Sequence, residues 1–274
     1  MKKLILFLLL SFILLKCGWF RLAAPVSIRL KGSDTMLILA SHWAETYMKL
    51  KPNVAIYVEG GGTEKGVEAL IQGRADICLA SRPLRAREIM TMAQKAGVIG
   101  IQFLVAKDGL SLYVHPSNPV QDIRLEDVKK IFRGEITNWS QVGGNDEPIL
   151  VLIRPPNSGT HLYFKEHVLN GEAYGSCAQT IATTSRLVEA VIKNREAVGY
   201  GGSAYGAEVT HCKINGVEPT VENVQNDSYP IIRYLYLFTT NTPRGELKSF
   251  IDWILKDGQK IVREVGYIPL WEQH

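Results

Sequence analysis

VSIRLKGSDTMLILASHWAETYMKLKPNVAIYVEGGGT, residues 26–63, reads as one strand, one helix and a second strand. Val26–Leu30 is a short apolar-rich run ended by Gly32, and Met36, Leu39, Ala40, Trp43, Tyr47 and Met48 then fall on one face of a helix. Lys51-Pro52-Asn53 stops that helix, because a proline ring and its missing N–H do not fit a helix interior. Val54–Val58 is the next strand, and it runs into Gly60-Gly61-Gly62 and a second helix whose Val67, Leu70 and Ile71 point inward. Consecutive strands separated by a helix pair in parallel, so the stretch predicts an α/β sheet covered by helices.

The same alternation continues along the chain. Ile77–Ala80 is a strand that meets Ser81-Arg82-Pro83, and a helix follows from about Arg85 to Ala96. Val98–Val105 and Leu110–Val114 read as two strands broken by Lys107-Asp108-Gly109, the first passage between two lobes. A second unit carries helix Leu125–Phe132, strand Ile149–Ile153, a helix from about Thr160 to Leu169, strand Thr180–Thr183, helix Arg186–Asn194 and strand Ala197–Tyr200. Ile231–Thr239, rich in aromatic and β-branched residues, is the return strand, and the amphipathic tail with Phe250, Ile254 and Val262 packs back on the first lobe. With no proline-rich or serine-rich tether between the halves, a hinge of two crossover strands is expected. The expected division is residues 25–108 with 232–274 as one lobe and 109–231 as the other. At 274 residues and 46% hydrophobic, the chain is long enough for two such cores.

Lys2-Lys3 followed by an apolar run from Leu4 to Leu15 reads as a signal peptide over residues 1–16, too short for a comfortable membrane span. Cys17 ends the run where a lipoprotein signal places its acylated cysteine, although Lys16 is unlike the small residue usual before it. Periplasmic or cell-envelope localisation follows. Without Lys2, Lys3 and Lys16 the net charge drops from +4 to +1, and no basic block interleaved with aromatics points to nucleic acid. Cys78, Cys177 and Cys212 remain; Cys78 sits in an apolar strand, and spacing leaves a Cys177–Cys212 disulfide open.

Three strand-to-helix junctions carry small residues and hydroxyls: Gly32-Ser33-Asp34-Thr35-Met36, Gly60-Gly61-Gly62-Thr63 and Arg154-Pro155-Pro156-Asn157-Ser158-Gly159-Thr160. Helix N-termini present unpaired N–H groups and partial positive charge to an anion, and serine and threonine add donors. Each junction alone is better explained as an ordinary turn and N-cap. Arg154 at the third and Arg82 after Ser81 add guanidinium forks suited to a tetrahedral oxyanion. No phosphate-loop motif, dinucleotide fingerprint or metal-ligand spacing is present, and His161 has no nucleophile or carboxylate beside it in sequence. No catalytic residue, metal or cofactor is therefore expected.

Gly-Ser-Asp-Thr-Met at 32–36, Ala80-Ser81-Arg82-Pro83-Leu84, Ile131–Trp139, Arg154–Thr160 and Gly266-Tyr267-Ile268-Pro269-Leu270, in this order, resemble the periplasmic phosphate-binding proteins of phosphate ABC transporters. The resemblance extends from about Val26 to the end. It implies a two-lobed type II periplasmic-binding-protein fold, inorganic phosphate as ligand, a membrane permease as partner, and a monomer. The implied phosphate-binding residues are Ser33, Asp34, Thr35, Met36, Thr63, Ser81, Arg82, Arg154, Ser158, Gly159 and Thr160. Many members carry an aspartate at the position of Arg82, accepting the phosphate proton, and an acidic partner for the loop arginine at the position of Pro156. Asp34, then Glu64, are the nearest acceptors left in sequence. A receptor for sulfate or molybdate, and an exported phosphoesterase using the same loops, are the alternatives.

Overall fold

A computed structural model describes residues 25–270; the leader and Cys17 lie outside them. The first segment folds as its periodicity demands. β1 (Val26–Gly32) pairs in parallel with β2 (Val54–Glu59) and β3 (Ile77–Ala80), while α1 (Leu37–Leu50) buries Leu39, Ala40, Trp43, Ala44 and Tyr47 against them. α2 (Thr63–Ile71) and α3 (Ala86–Ala96) complete this layer.

β4 (Ile101–Val114) is one unbroken strand of 14 residues, where two strands were expected on either side of Lys107-Asp108-Gly109. Those polar residues do not break the strand because each is paired: Asp108 opposes Arg233 on β10 (Ile232–Thr239), and Lys107 exchanges both backbone bonds with Ile268. β4 therefore passes from one lobe to the other. Its first nine residues pair antiparallel with β10, and its last five pair with β8 (Ala197–Gly202).

The second lobe adds β5 (Asp122–Ile123), α4 (Leu125–Arg133), β6 (Leu150–Ile153), α5 (Gly159–His167), β7 (Gln179–Thr180), α6 (Thr184–Lys193), β9 (Thr210–Ile214) and α7 (Val221–Gln225). The expected strand at 180–183 shortens to β7 because Thr183 instead caps α6, accepting the N–H of Arg186. β5, β9 and α7 carry too few apolar residues to register as periodic runs. β10 returns, and α8 (Gly245–Leu255) and α9 (Gln259–Val265) lie on the first lobe. The sheet path is β2-β1-β3-β10-β4-β8-β6-β7, with β9 joining β4 and β5.

Two cores straddle this path. One gathers Leu30, Trp43, Val105, Leu235 and Ile254; the other gathers Leu110, Phe132, Phe164, Tyr200 and Ile231. β4 and β10 change cores at residues 107–109 and 232–234, so both crossings stand side by side. Cys78 and Cys212 are buried and Cys177 is exposed, and all three are free thiols, which closes the question of a Cys177–Cys212 disulfide. No helix among the described residues is long and apolar enough to cross a membrane.

Gly32 ends β1 beneath the first loop with φ +149°, and a Cβ there would sit 2.1 Å from the Leu79 carbonyl oxygen. Both the clash with backbone and the dihedral exclude a side chain. Gly32→Ala is expected to lower stability by at least about 2 kcal/mol, read from guanidinium unfolding against the wild type.

Candidate functional site

The three junctions chosen from sequence meet where the lobes face one another. After β1 the chain makes a short 3-10 turn, Asp34–Met36, closed by the N–H of Met36 donating to the Ser33 carbonyl (3.0 Å). Two tyrosines pin this turn from distant parts of the chain: Tyr205 donates to the Asp34 carbonyl (2.7 Å) and Tyr267 to the Thr35 carbonyl (2.6 Å). The Met36 N–H is thus engaged within the turn. Ser33, Asp34, Thr35 and Met36 are all buried.

The third junction arrives from the second lobe. Ser158 caps α5, its hydroxyl accepting the N–H of His161 (3.4 Å), while the His161 ring donates from Nδ1 to the Arg154 carbonyl (2.6 Å). A carbonyl only accepts, so Nδ1 carries the proton, and burial holds the ring below its ordinary pKa and therefore neutral at neutral pH. His161 thus shapes the loop. At the tip, Asn157 donates from Nδ2 to the Gly61 carbonyl (2.7 Å) and accepts the N–H of Glu64 (3.2 Å). A Cβ at Gly62, where φ is +94°, would come within 2.6 Å of the Asn157 carbonyl oxygen, so glycine is what permits this backbone approach.

Two hydroxyls, Thr35 from the first lobe and Thr160 from the second, are hydrogen-bonded across the seam at 2.9 Å. Gly159, at the start of α5, faces Thr63 and Ser81: a Cβ on it would lie 2.4 Å from Thr63 Oγ1 and 2.5 Å from Ser81 Oγ. Ser81 donates its N–H to Thr63 Oγ1 (3.3 Å). Thr35, Thr63, Ser81, Ser158, Gly159 and Thr160 therefore share one buried seam.

The arginines divide. Arg154, 1% exposed, reaches over the seam to Asp34 (Nη2 to Oδ2, 2.6 Å) and donates to Thr184 Oγ1 (2.6 Å) and the Ala182 carbonyl (3.1 Å). Asp34 Oδ1 in turn accepts the Gly61 N–H (3.0 Å). Burial pulls the Arg154 guanidinium below its ordinary pKa, and the charge and hydrogen bond of Asp34 work against that shift. Asp34 thus supplies the acidic partner whose expected position Pro156 occupies. Arg82 turns its two terminal nitrogens onto Glu88 of α3 (2.8 and 2.7 Å) and the Pro83 carbonyl (2.7 Å), away from the other lobe. Glu64 pairs with Arg85 and Arg87. Ser81 Oγ, Arg82 Nε, Arg85 Nε and Arg154 Nε are buried with no hydrogen-bond partner among the described residues.

Three participants escaped the sequence reading: Glu88, Asp108 and Arg233. Arg233 Nε donates to Asp108 Oδ2 (2.8 Å), Nη2 forms an ion pair with the same oxygen (2.7 Å), and Nη1 donates to Thr160 Oγ1 (2.9 Å). A signal existed, because Arg233 is the one charge in the run Ile231–Thr239. Burial raises the Asp108 carboxyl above the ordinary range, opposed by the Arg233 charge and hydrogen bond. Among the described residues no group of histidines, cysteines and carboxylates has the arrangement of a metal site.

Two α/β lobes joined by a pair of crossing strands and closed on a seam of donors define a solute-binding transport protein. A model of the PBP superfamily domain matches residues 21–257. The phosphate-binding protein PstS of Bacillus subtilis is 33% identical over 90% of this chain and 82% of its own length, and PstS of Pseudomonas aeruginosa strain PAO1 is 30% identical over 87% and 81%. A Clostridium perfringens structure described as a phosphate ABC transporter substrate-binding protein with bound phosphate superposes with a TM-score of 0.83 at 33% identity, covering 89% of this chain and all of that one. A phosphate transport receptor from Vibrio cholerae gives 0.71 at 30%, covering 88% and 99%. The chain belongs to the PBP superfamily and, within it, to the periplasmic phosphate-binding proteins of ABC transporters.

Glu88 is pulled two ways: burial pushes its carboxyl up, but the hydrogen bonds from Arg82 and the Arg85 N–H, with both arginines' charges, outweigh that and hold it below the ordinary range. A carboxylate whose folded pKa is depressed adds stability above its unfolded pKa, and that stability disappears as pH falls through the folded value. Glu88→Gln, which leaves Arg82 buried without its counter-charge, is expected to cost about 3 kcal/mol near neutral pH. Thermal unfolding of both proteins from pH 7 down to pH 3 checks it, the difference shrinking below the usual glutamate range.

Proposed function

We propose that this protein captures inorganic phosphate between its lobes and delivers it to the membrane permease of an ABC transporter, acting as a monomer and without turnover. The observation that carries the reading is the meeting of hydroxyls from both lobes on one seam: Thr35 and Thr160 bond each other at 2.9 Å, and Ser81 Oγ, buried against Gly159, lacks a partner among the described residues. Buried donors are stable only when satisfied, and an oxyanion between the lobes would satisfy several together. The name of the relatives and the phosphate in the Clostridium neighbour support phosphate as that anion.

The proposed binding set is Thr35, Thr63, Ser81, Arg154, Ser158, Gly159 and Thr160 as donors, with Ser33, Asp34, Met36 and Arg82 shaping and charging the loops around them. Each buried guanidinium already faces a carboxylate: Arg154 with Asp34, Arg82 with Glu88. Hydrogen bonds rather than net charge then hold the ligand. Donors come from both lobes, so affinity depends on closure, and the closed form is what the permease would meet. The proposed lobes are residues 25–108 with 232–274, of which 271–274 lie outside the described residues, and 109–231, turning about β4 and β10.

Calorimetric titration with phosphate, with arsenate, sulfate and molybdate as competitors, tests this. One phosphate per chain is expected, with no phosphate released from phosphomonoesters above background. A charge-assisted bond contributes about 1.5–3 kcal/mol, so Arg154→Ala should weaken binding about tenfold or more. Tight sulfate binding with none for phosphate, or turnover that Thr160→Ala abolishes, would overturn the reading.

Export and anchoring belong to the same proposal: Cys17 carries lipid at the mature N-terminus, which keeps the receptor beside its permease. Mass spectrometry of protein from its native envelope should find an acylated Cys17. An unmodified terminus downstream of it refutes the anchor.

A further inference from the structure

Arg233 stands at the boundary between the lobes. It lies on β10 at the crossing, directly opposite Asp108 on β4, in a register fixed by the antiparallel pairing of the two strands. Asp108 is fully buried and Arg233 is 2% exposed. Asp108 Oδ1 accepts the Ser203 N–H (3.2 Å), and Tyr163 of α5 donates to the carbonyl of Ile232 beside Arg233.

The guanidinium has five donors, and Asp108 takes only those on one edge. The other edge faces the seam, where Nη1 donates to Thr160 Oγ1 (2.9 Å) and Nη2 comes within 3.5 Å of Thr35 Oγ1. These threonines come from opposite lobes and bond one another. A hydroxyl carries one proton, so in the Thr35–Thr160 bond only one of the two can donate, while Arg233 supplies further protons to both. An anion reaching the two hydroxyls therefore comes within reach of Arg233.

We propose that Arg233 is a further anion-binding residue, the hinge-borne floor of the cleft, and that Asp108 positions it by holding its far edge. The inference rests on the phosphate reading above. Arg154 moves with the second lobe as the cleft opens, whereas Arg233, fixed between the crossing strands, keeps its place. It therefore offers the arriving phosphate a cationic donor before the lobes meet. Asp108 neutralises that donor, so the floor is not an unpaired buried charge.

The test is calorimetric titration of inorganic phosphate into the wild type, Arg233→Lys, Arg233→Gln, Asp108→Asn and the double variant Arg233→Gln/Asp108→Asn. The double variant removes both charges together and so leaves neither stranded. It should keep a cooperative thermal transition while phosphate affinity falls about tenfold or more, the loss expected for a charge-assisted bond. Asp108→Asn should also weaken binding, yet add little on top of Arg233→Gln, a non-additivity that independent structural roles do not give. A double variant binding within about twofold of wild type overturns the inference. If the double variant does not fold, Arg233→Lys decides: it retains the charge but loses the fork, and unchanged affinity overturns the inference equally. A wild type that binds no phosphate defeats the phosphate reading and this inference with it, whereas a wild type that binds beside an unimpaired double variant defeats only the inference.

Discussion

A guanidinium carried from one lobe into the face of another must meet a carboxylate there, because an unpaired charge removed from water costs several kcal/mol. Arg154 and Asp34 meet that condition across the seam. Much of the local structure follows from bringing these two groups together. The turn holding Asp34 is fixed by two tyrosine hydroxyls, and the loop holding Arg154 is fixed by the His161 ring on its carbonyl. Gly61 donates to the free oxygen of Asp34, and so the glycine loop that precedes α2 is tied to the same point.

The pairing has a consequence for ligand chemistry. With Arg154, Arg82 and Arg233 each facing a carboxylate, the seam gathers many donors without gathering net charge. A site of strong positive potential attracts any anion, whereas a neutral site rich in directed donors rewards the anion whose oxygens match them. The orphaned nitrogens and the serine hydroxyl are then the residual valence of an otherwise balanced network.

Periodicity made the fold legible because the strands and helices that build both cores are long and apolar on one face, as in α1 with Leu39, Trp43 and Tyr47. The crossing at residues 107–109 was visible as a polar interruption but misread as a strand end. Sequence cannot tell a polar residue that terminates a ladder from one whose partner on a distant strand allows the ladder to continue. Thr35, Thr63, Ser158 and Thr160 were legible since helix starts are written locally. The pairing of Asp108 with Arg233 was not, because this buried ion pair is a fact about two separated segments, 125 residues apart.

Arg82 shows how far local reading reaches. Its position after Ser81 at the end of β3 marked it as a cleft residue, and it is indeed buried next to the seam. Its terminal nitrogens nonetheless turn to Glu88, six residues on, which also accepts the Arg85 N–H at the start of α3. One carboxylate thus satisfies a helix end and neutralises an arginine. The side chain braces its own lobe: its terminal nitrogens hold Glu88 and the Pro83 carbonyl beside the end of β3, where Ser81 Oγ sits against Thr63 and Gly159. Its Nε is left buried without a partner among the described residues. An arginine held in this way adds direction to the site and almost no net charge, which is the same arrangement that Asp34 imposes on Arg154 and Asp108 on Arg233.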